Sequence, residues 1–214
     1  MNQNNKESLL EKIRKYKKNS WTLGNEVLYR LCREHPLHKL DDEIGAKIWL
    51  IGRAYSVSIE RRKIKTSIND DYYNDRVIPK IKKSNIDKWI KDCKIEKTKD
   101  SSLRAHKKVT DLFKDISGLE KRSLASKYLH FHLPDLFFIY DSRAVHGISV
   151  LLKELNLKNK GKKIDNSLYD KGYSSFFNKC LKAKGEIIKQ FKLNLKCREL
   201  DTLLINIANE HLRK

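Results

Sequence analysis

The chain lacks an apolar run long enough to cross a membrane. Its longest apolar stretches, such as Ile48–Ile51 and Leu136–Tyr140, fall far short of the roughly 20 residues that a transmembrane helix needs. The first residues, Met1–Lys6, are polar, and no apolar segment of the signal-peptide type follows them. The sequence therefore predicts a protein that stays in the cytoplasm and does not span a membrane.

Cysteine is scarce, and the cysteines lie far apart along the chain. Cys32, Cys93, Cys180 and Cys197 form no CxxC pair, which is the spacing typical of iron–sulfur and structural zinc sites. In a reducing compartment such cysteines are expected to be packed or surface thiols. The sequence thus indicates neither a metal site nor another cofactor.

Proline and glycine are also few, which leaves long segments free to form helices. Only 3 prolines and 8 glycines occur, apolar residues recur at helical spacing, and no run alternates as strands do. We therefore predict an all-α fold, with a break at Lys99–Ser102. The predicted helices cover about residues 6–18, 21–32, 44–63, 79–95, 103–115, 121–132, 141–155, 173–193 and 198–211.

Positive charge is present in large excess and is unevenly distributed. The formal net charge is +20, and residues 79–108 and 153–198 contribute +7 and +9 of it. A solvated helix surface can carry such charge without a function. Two separate concentrations are better explained by a surface that neutralises phosphates. The sequence therefore predicts a nucleic-acid partner.

One segment combines a turn with a lysine-bearing helix. Ser117–Phe131 reads as the end of one helix, a turn at Gly118, and a second helix that carries Lys121 and Lys127. Backbone N–H groups at such a turn, together with the start of the next helix, can hold a phosphate. Any pair of antiparallel helices needs a similar turn, so this pattern alone has low specificity.

A carboxylate follows this helix at the start of the next one. An apolar connector leads into Phe137–Ala144, where Asp141 precedes a predicted helix. An aspartate at this position is favoured as an N-cap, which stabilises a helix by about 1 kcal/mol. Capping alone would account for Asp141, and a catalytic role does not exclude capping.

The order of these elements resembles the helix-hairpin-helix DNA glycosylase superfamily, and within it the 8-oxoguanine DNA glycosylase-like branch. The resemblance implies a multi-helix glycosylase-like fold with a helix-hairpin-helix element, and it places Asp141 at the essential aspartate. It also implies that Lys121 or Lys127 supplies the amine of a bifunctional enzyme. The segment Ile44–Ile59 looks like the first core helix of the family, with Gly52–Ser56 in its DNA-facing turn.

The chemistry of base excision suits these residue types. Cleavage of an N-glycosidic bond develops positive charge on the sugar, which a carboxylate stabilises, and a lysine amine can attack C1′ to leave a Schiff base. The flipped base needs an aromatic pocket. The candidate pocket residues are Trp49, Tyr55, Phe131 and Tyr140. The candidate DNA contacts are Arg53, Gly118, Arg122, Ser123 and Arg143.

Simpler interpretations of single residues stay open. Lys127 could be a surface lysine, and Arg53 could pair with Glu60 or Asp42. His130 and His132 are better explained as one partly buried and one exposed histidine than as metal ligands.

Three functions compete at this point. The first is a DNA glycosylase, with or without AP-lyase activity, that acts as a monomer on duplex DNA containing a damaged or modified base. The second is a non-catalytic DNA-binding protein on the same scaffold. The third is a metal-independent ribonuclease, suggested by the spacing of Arg33 and His38. We expect either a single unit or two helical subdomains with a cleft between them, one of about residues 20–100 plus the C-terminal helices and one of about 103–155.

Overall fold

The computed structural model describes residues 20–62, 69–157 and 167–212, together with Glu7 and Glu11. All regular secondary structure within these residues is helical, which confirms the all-α prediction. Apart from Glu7 and Glu11, the helix predicted over residues 6–18 lies outside the described residues. The chain divides into two compact units, Asn19–Phe137 and a C-terminal unit that begins at Phe138. This boundary differs from the expected grouping, because residues 103–137 belong with 20–100 and Asp141 belongs with the C-terminal helices.

The N-terminal unit consists of seven α-helices and one π-helical turn within its described residues. They are α1 (Ser20–Glu34), α2 (Asp41–Ala54), α3 (Asn69–Tyr72), the π-helical turn Tyr73–Val77, α4 (Ile78–Lys83), α5 (Ile86–Glu96), α6 (Lys99–Ser117) and α7 (Arg122–His132). Helix α7 packs against α1, α2 and α6. Its residues from Leu124 to Phe131 are all buried, so α7 is the central helix of this unit.

Helix α2 is shorter than the predicted helix over residues 44–63. It ends at Ala54, Ser56 takes a left-handed conformation, and the Val57 N–H turns back to the Gly52 carbonyl at 2.8 Å. The returning chain comes so close that a Cβ on Gly52 would lie 3.2 Å from the Cα of Ser58. This turn directs Glu60 back towards α2, which becomes important below.

The predicted break at Lys99–Ser102 is wrong. Helix α6 begins at Lys99, and Thr98 and Ser101 form a reciprocal capping box at its start. The polar residues that suggested a loop therefore satisfy the first backbone N–H groups of the helix. The break lies two residues earlier, at Lys97 and Thr98, where Lys97 takes a left-handed conformation. A separate interruption at Ser84, whose backbone is extended, divides the helix predicted over residues 79–95 into α4 and α5.

The C-terminal unit contains three helices among its described residues. They are α8 (Ser142–Glu154), α9 (Lys171–Phe191) and α10 (Cys197–Leu212). Helix α8 packs against both others, and its contact with α10 is close at Gly147. The four cysteines of the chain are all buried free thiols, two in each unit, as expected from their spacing.

Candidate functional site

The connection between α6 and α7 depends on a glycine. Gly118 adopts φ 72°, a left-handed conformation that favours glycine, and its N–H donates to the Lys114 carbonyl at 2.7 Å. The N–H of Leu119 then donates to the Ser117 hydroxyl at 3.2 Å. The chain thus turns within four residues from one helix into the next, at the place that the sequence predicted.

Lys121 occupies the N-cap position of α7 immediately after this turn. Its Nζ donates to the Ser58 carbonyl at 2.8 Å and also to the Arg61 carbonyl. Burial, together with the positive charge of Arg61, lowers the pKa of Lys121 to about 8. An amine with this pKa is partly neutral slightly above neutral pH, as a nucleophilic lysine must be.

Lys127 lies one helical turn deeper and is enclosed by the protein. It is 1% exposed, its Nζ donates to the Ser123 hydroxyl at 2.9 Å, and Nζ lies 5.5 Å from the centre of the Tyr55 ring. The interpretation of Lys127 as a surface lysine is therefore wrong. Because Lys121 is half-buried whereas Lys127 is almost fully buried, Lys121 is the more accessible of the two amines.

The other proposed DNA contacts near this turn have partners within the protein. The Arg122 guanidinium lies 3.4 Å from the Glu120 carboxylate, and the Arg122 carbonyl accepts a hydrogen bond from His106 at 3.2 Å. The Ser123 hydroxyl accepts from Lys127. These contacts fix the first turn of α7, so Ser123 serves in positioning Lys127.

Asp141 is the N-cap of α8 in the C-terminal unit. Its Oδ1 accepts the Ala144 N–H at 2.8 Å, which confirms the capping interpretation. Arg143 is exposed on the first turn of the same helix. Tyr140 precedes Asp141 and makes an edge contact with Phe176, with 5.3 Å between the ring centres. The carboxylate is thereby held in one place at the positive end of a helix.

The aromatic residues proposed as a base pocket do not all surround one cavity. Tyr55 and Phe131 contact each other with tilted rings whose centres lie 5.7 Å apart, and Phe131 is 2% exposed. Tyr140 belongs to the C-terminal unit. Trp49, by contrast, is 46% exposed and lines a cavity of about 700 Å³ that neither Tyr55 nor Phe131 lines. Of the four rings, Trp49 is the one that lines this cavity.

A network of polar side chains forms one wall of this cavity. The Arg53 guanidinium donates to the Glu60 carboxylate at 2.6 Å and lies 5.9 Å from the centre of the Trp49 ring. Burial acts against the charge on Glu60, but hydrogen bonds from Arg53, Tyr73 and Ser58 hold its pKa below the usual value. The expected pairing of Arg53 with Glu60 is confirmed. The Glu60 carboxylate in the cavity wall is therefore ionised at neutral pH.

A buried polar network near α7 was not anticipated from the sequence. His38 is 3% exposed, its Nδ1 lies 2.5 Å from the Asp87 carboxylate, and its Nε2 lies 2.7 Å from the Tyr128 hydroxyl. Lys47 is fully buried and donates to the carbonyls of His35 and Leu37. Because both ring nitrogens of His38 have partners in the interior, its position does not favour the ribonuclease hypothesis.

The buried His38 makes the stability of the N-terminal unit dependent on pH. Burial, and secondarily the charge of Lys47, lower its pKa to about 4 from 6.5. Between these values the unfolded chain binds a proton that the folded unit does not bind, so stability falls as the pH falls through this range. We expect a loss of about 3 kcal/mol between pH 7 and pH 4 from this residue.

Urea unfolding at both pH values measures this effect. In His38→Gln the pH dependence should be smaller by that amount. An equal pH dependence in His38→Gln and the wild type would contradict the buried neutral imidazole.

Exposed lysines follow one side of α5 and the turn after it. They are Lys88, Lys91, Lys94, Lys97 and Lys99. Trp89 on the same helix is half-buried, with the Lys108 ammonium 5.9 Å from its ring centre. This spacing provides a row of cations at the surface of the segment where the sequence concentrates positive charge.

Comparisons with known proteins found no relative of this chain. No protein-family model, no curated protein and no solved structure matches the chain. Among the residues that the structure describes, no helix is both long and apolar enough to cross a bilayer. The functional interpretation therefore depends on the side chains and contacts described above.

Proposed function

We propose that this protein is a DNA N-glycosylase that releases a damaged or modified base and uses a lysine amine to cleave the strand. The observation that carries the proposal is Lys121. It follows directly after the α6–α7 turn, where the family resemblance expects the amine, and its pKa of about 8 suits nucleophilic attack. The position of Lys121 and its lowered pKa independently support the same role.

The proposed reaction first exchanges the bond between C1′ and the base for a bond between C1′ and the lysine amine. The bond between C1′ and the base nitrogen breaks, and its electron pair leaves with the base. The Lys121 nitrogen bonds to C1′ and loses a proton, the sugar ring opens, and a Schiff base results. Removal of a proton from C2′ of this Schiff base then breaks the C3′–O bond, and its electron pair leaves with the phosphate. The family resemblance alone gives Asp141 its proposed role, the stabilisation of the positive charge that develops on the sugar.

The proposed partner is duplex DNA, bound in the cell interior through its phosphates. The row of exposed lysines on α5 supports this part of the proposal, because each phosphate contact releases condensed counterions and makes binding sensitive to salt. We assign the same kind of contact to the exposed Arg143.

Removing the lysine row should weaken DNA binding by a similar factor for every DNA sequence. For the triple variant Lys88→Gln, Lys91→Gln, Lys94→Gln, we expect the slope of log K against log salt to fall in magnitude by about 3. Fluorescence anisotropy of a labelled duplex at several salt concentrations measures this slope. As a control, Lys80→Gln removes a lysine paired with Asp115 at 2.7 Å and should change the slope by less than one unit. An unchanged slope in the triple variant would show that DNA binds elsewhere.

A second candidate, a non-catalytic DNA-binding protein, is favoured by one observation. Asp141 caps α8, so its presence has a structural cause that requires no catalysis. This candidate predicts binding that depends on salt but no loss of bases.

A nicking assay separates the two functions. Duplexes that contain 8-oxoguanine, uracil, an alkylated purine or a modified cytosine are incubated with the protein and then heated in alkali, which cleaves abasic sites. The glycosylase proposal predicts strand breaks at one of these bases. Salt-sensitive binding to every duplex, with no break in any of them, would leave the binding protein as the function.

A further inference from the structure

The C-terminal unit brings two histidines together from different helices. His146 lies in the second turn of α8, and His211 lies in the last turn of α10. The Nε2 atom of His146 is 3.2 Å from the Nδ1 atom of His211, and the two ring planes are inclined at 56°. His146 is half-buried and His211 is exposed. Because 65 residues separate them, no spacing along the chain predicts the pair.

The close packing of α8 against α10 determines where these two rings lie. Gly147, the neighbour of His146, is so near to α10 that a Cβ there would lie 2.1 Å from the Leu204 carbonyl oxygen. Leu204 and His211 are seven residues apart, which is about two helical turns, so they lie on the same side of α10. The two histidines thus belong to one tightly packed helix pair, which keeps their rings within reach of each other.

The separation of the two nitrogens is close to that required by a shared metal ion. Zn²⁺ binds imidazole nitrogen at about 2.0–2.1 Å in tetrahedral geometry, which places two nitrogens on one ion about 3.3–3.4 Å apart. The observed 3.2 Å is within a few tenths of an ångström of this value. Within the described part of the chain, no group of three or more His, Cys, Asp or Glu side chains is placed to hold a metal ion. The chain therefore supplies two ligands here, and water completes the coordination.

Imidazole ligands also select the class of ion. They suit zinc, copper and nickel, whereas magnesium and calcium prefer oxygen ligands. The formal charge of +20 on the chain further disfavours an ion that is held by charge alone. A hydrogen bond between two imidazoles at the surface replaces bonds to water and adds little to stability. Coordination by two nitrogens is stronger, because once the first has bound the ion the second binds it within the same molecule.

We propose that His146 and His211 form a two-ligand site for Zn²⁺ that links α8 to the last turn of α10. The ion binds between Nε2 of His146 and Nδ1 of His211. The imidazole that donated its N–H to the other ring then carries that proton on its second ring nitrogen. Bound zinc stabilises the folded unit, because unfolding separates the two ligands. The site is independent of the proposed glycosylase activity.

Calorimetric titration of the full chain with zinc chloride tests this site. We expect His146→Gln and His211→Gln each to weaken zinc binding at least about tenfold, and the double variant to lose little more, because one imidazole alone cannot chelate. His35→Gln is the matched control. It removes a half-buried histidine of the N-terminal unit, whose Nδ1 lies 2.6 Å from the Glu43 carboxylate, and zinc binding should stay within about twofold of the wild type.

Unfolding provides a second measurement of the same site. Saturating zinc should raise the urea midpoint of the wild type and leave that of the double variant unchanged. Magnesium at the same concentration should raise neither midpoint. Circular dichroism of each variant without zinc shows that it has folded.

Three results would overturn the inference. Equal zinc binding by the wild type and both single variants would place the ion elsewhere. Weaker binding in only one of the two variants would show a contact with a single histidine and no link between the helices. No binding by the wild type at a zinc concentration of about 1 mM would leave the pair as a hydrogen bond alone.

Discussion

Replacing Lys121 with glutamine is expected to lower the amount of borohydride-trapped protein–DNA adduct by about 1,000-fold, the scale on which loss of a catalytic group acts. The physical reason is that glutamine has no amine to form the Schiff base that borohydride reduces. Because the pKa of Lys121 is about 8, trapping by the wild type should increase with pH as the ammonium loses its proton through that value. Gel separation of the trapped complex from free DNA measures both effects.

Two variants distinguish a nucleophile from a structural lysine. Lys121→Arg keeps a cation that can donate to the carbonyls of Ser58 and Arg61 but cannot form a Schiff base. It should fold and fail to trap. Lys114→Gln removes an exposed lysine of α6 and should trap normally. Full trapping by Lys121→Arg would show that the side chain only holds the loop at Ser58.

Replacing Gly147 with alanine is expected to destabilise the C-terminal unit by about 3 kcal/mol or more, the upper end of overpacking effects. A Cβ at this position would lie 2.1 Å from the Leu204 carbonyl oxygen and 2.8 Å from its carbon. Both are backbone atoms of α10, so no side-chain rotation can relieve the clash and the helices must separate. Urea unfolding, followed by circular dichroism, measures the loss.

Gly185→Ala is the matched control for this prediction. Gly185 is exposed within α9, and a Cβ there would meet nothing within 4 Å. Alanine has a higher helix propensity than glycine, so this variant should gain about 0.5–1 kcal/mol. Opposite signs for the two substitutions are expected if α8 and α10 pack as described. A Gly147→Ala protein as stable as the wild type would contradict that packing.

The helices could be predicted from the sequence because their signals are local. Apolar periodicity and capping residues located most helices, and Gly118 marked the turn between α6 and α7. The same local reasoning failed at Lys99–Ser102, where polar residues that cap a helix look like a loop. It also overextended α2, because the turn after Ala54 depends on the close return of the chain past Gly52.

The candidate site was less predictable because distant segments build it. The cavity combines Trp49 and Arg53 of α2 with Glu60 beyond the helix end and Tyr73 from the π-helical turn. The pairing of Arg53 with Glu60 was expected, but no spacing along the chain indicates that Tyr73 meets them.

A lysine inside a helix is usually exposed, yet Lys127 and Lys47 are both buried with hydrogen-bond partners. A signal for Lys47 did exist, since it shares the buried side of α2 with Ile44, Ile48 and Ile51.

The central claim, that Asp141 acts in catalysis and not merely as a cap, can be tested against a second cap in the same unit. Asp170 accepts the Tyr173 N–H at 2.7 Å at the start of α9, just as Asp141 accepts the Ala144 N–H at the start of α8. Asparagine preserves capping at both positions, so Asp141→Asn and Asp170→Asn should fold with similar stability. Only Asp141→Asn, however, removes a negative charge that would stabilise the positive charge developing on the sugar.

The decisive measurement is the rate of abasic-site formation by these two variants on the base that the wild type excises. We predict that Asp141→Asn loses at least about 100-fold in rate while Asp170→Asn stays within about threefold of the wild type. Equal rates for the wild type and Asp141→Asn would contradict a catalytic role for Asp141, and no abasic site from any duplex with the wild-type protein would contradict the assignment of this protein as a DNA glycosylase.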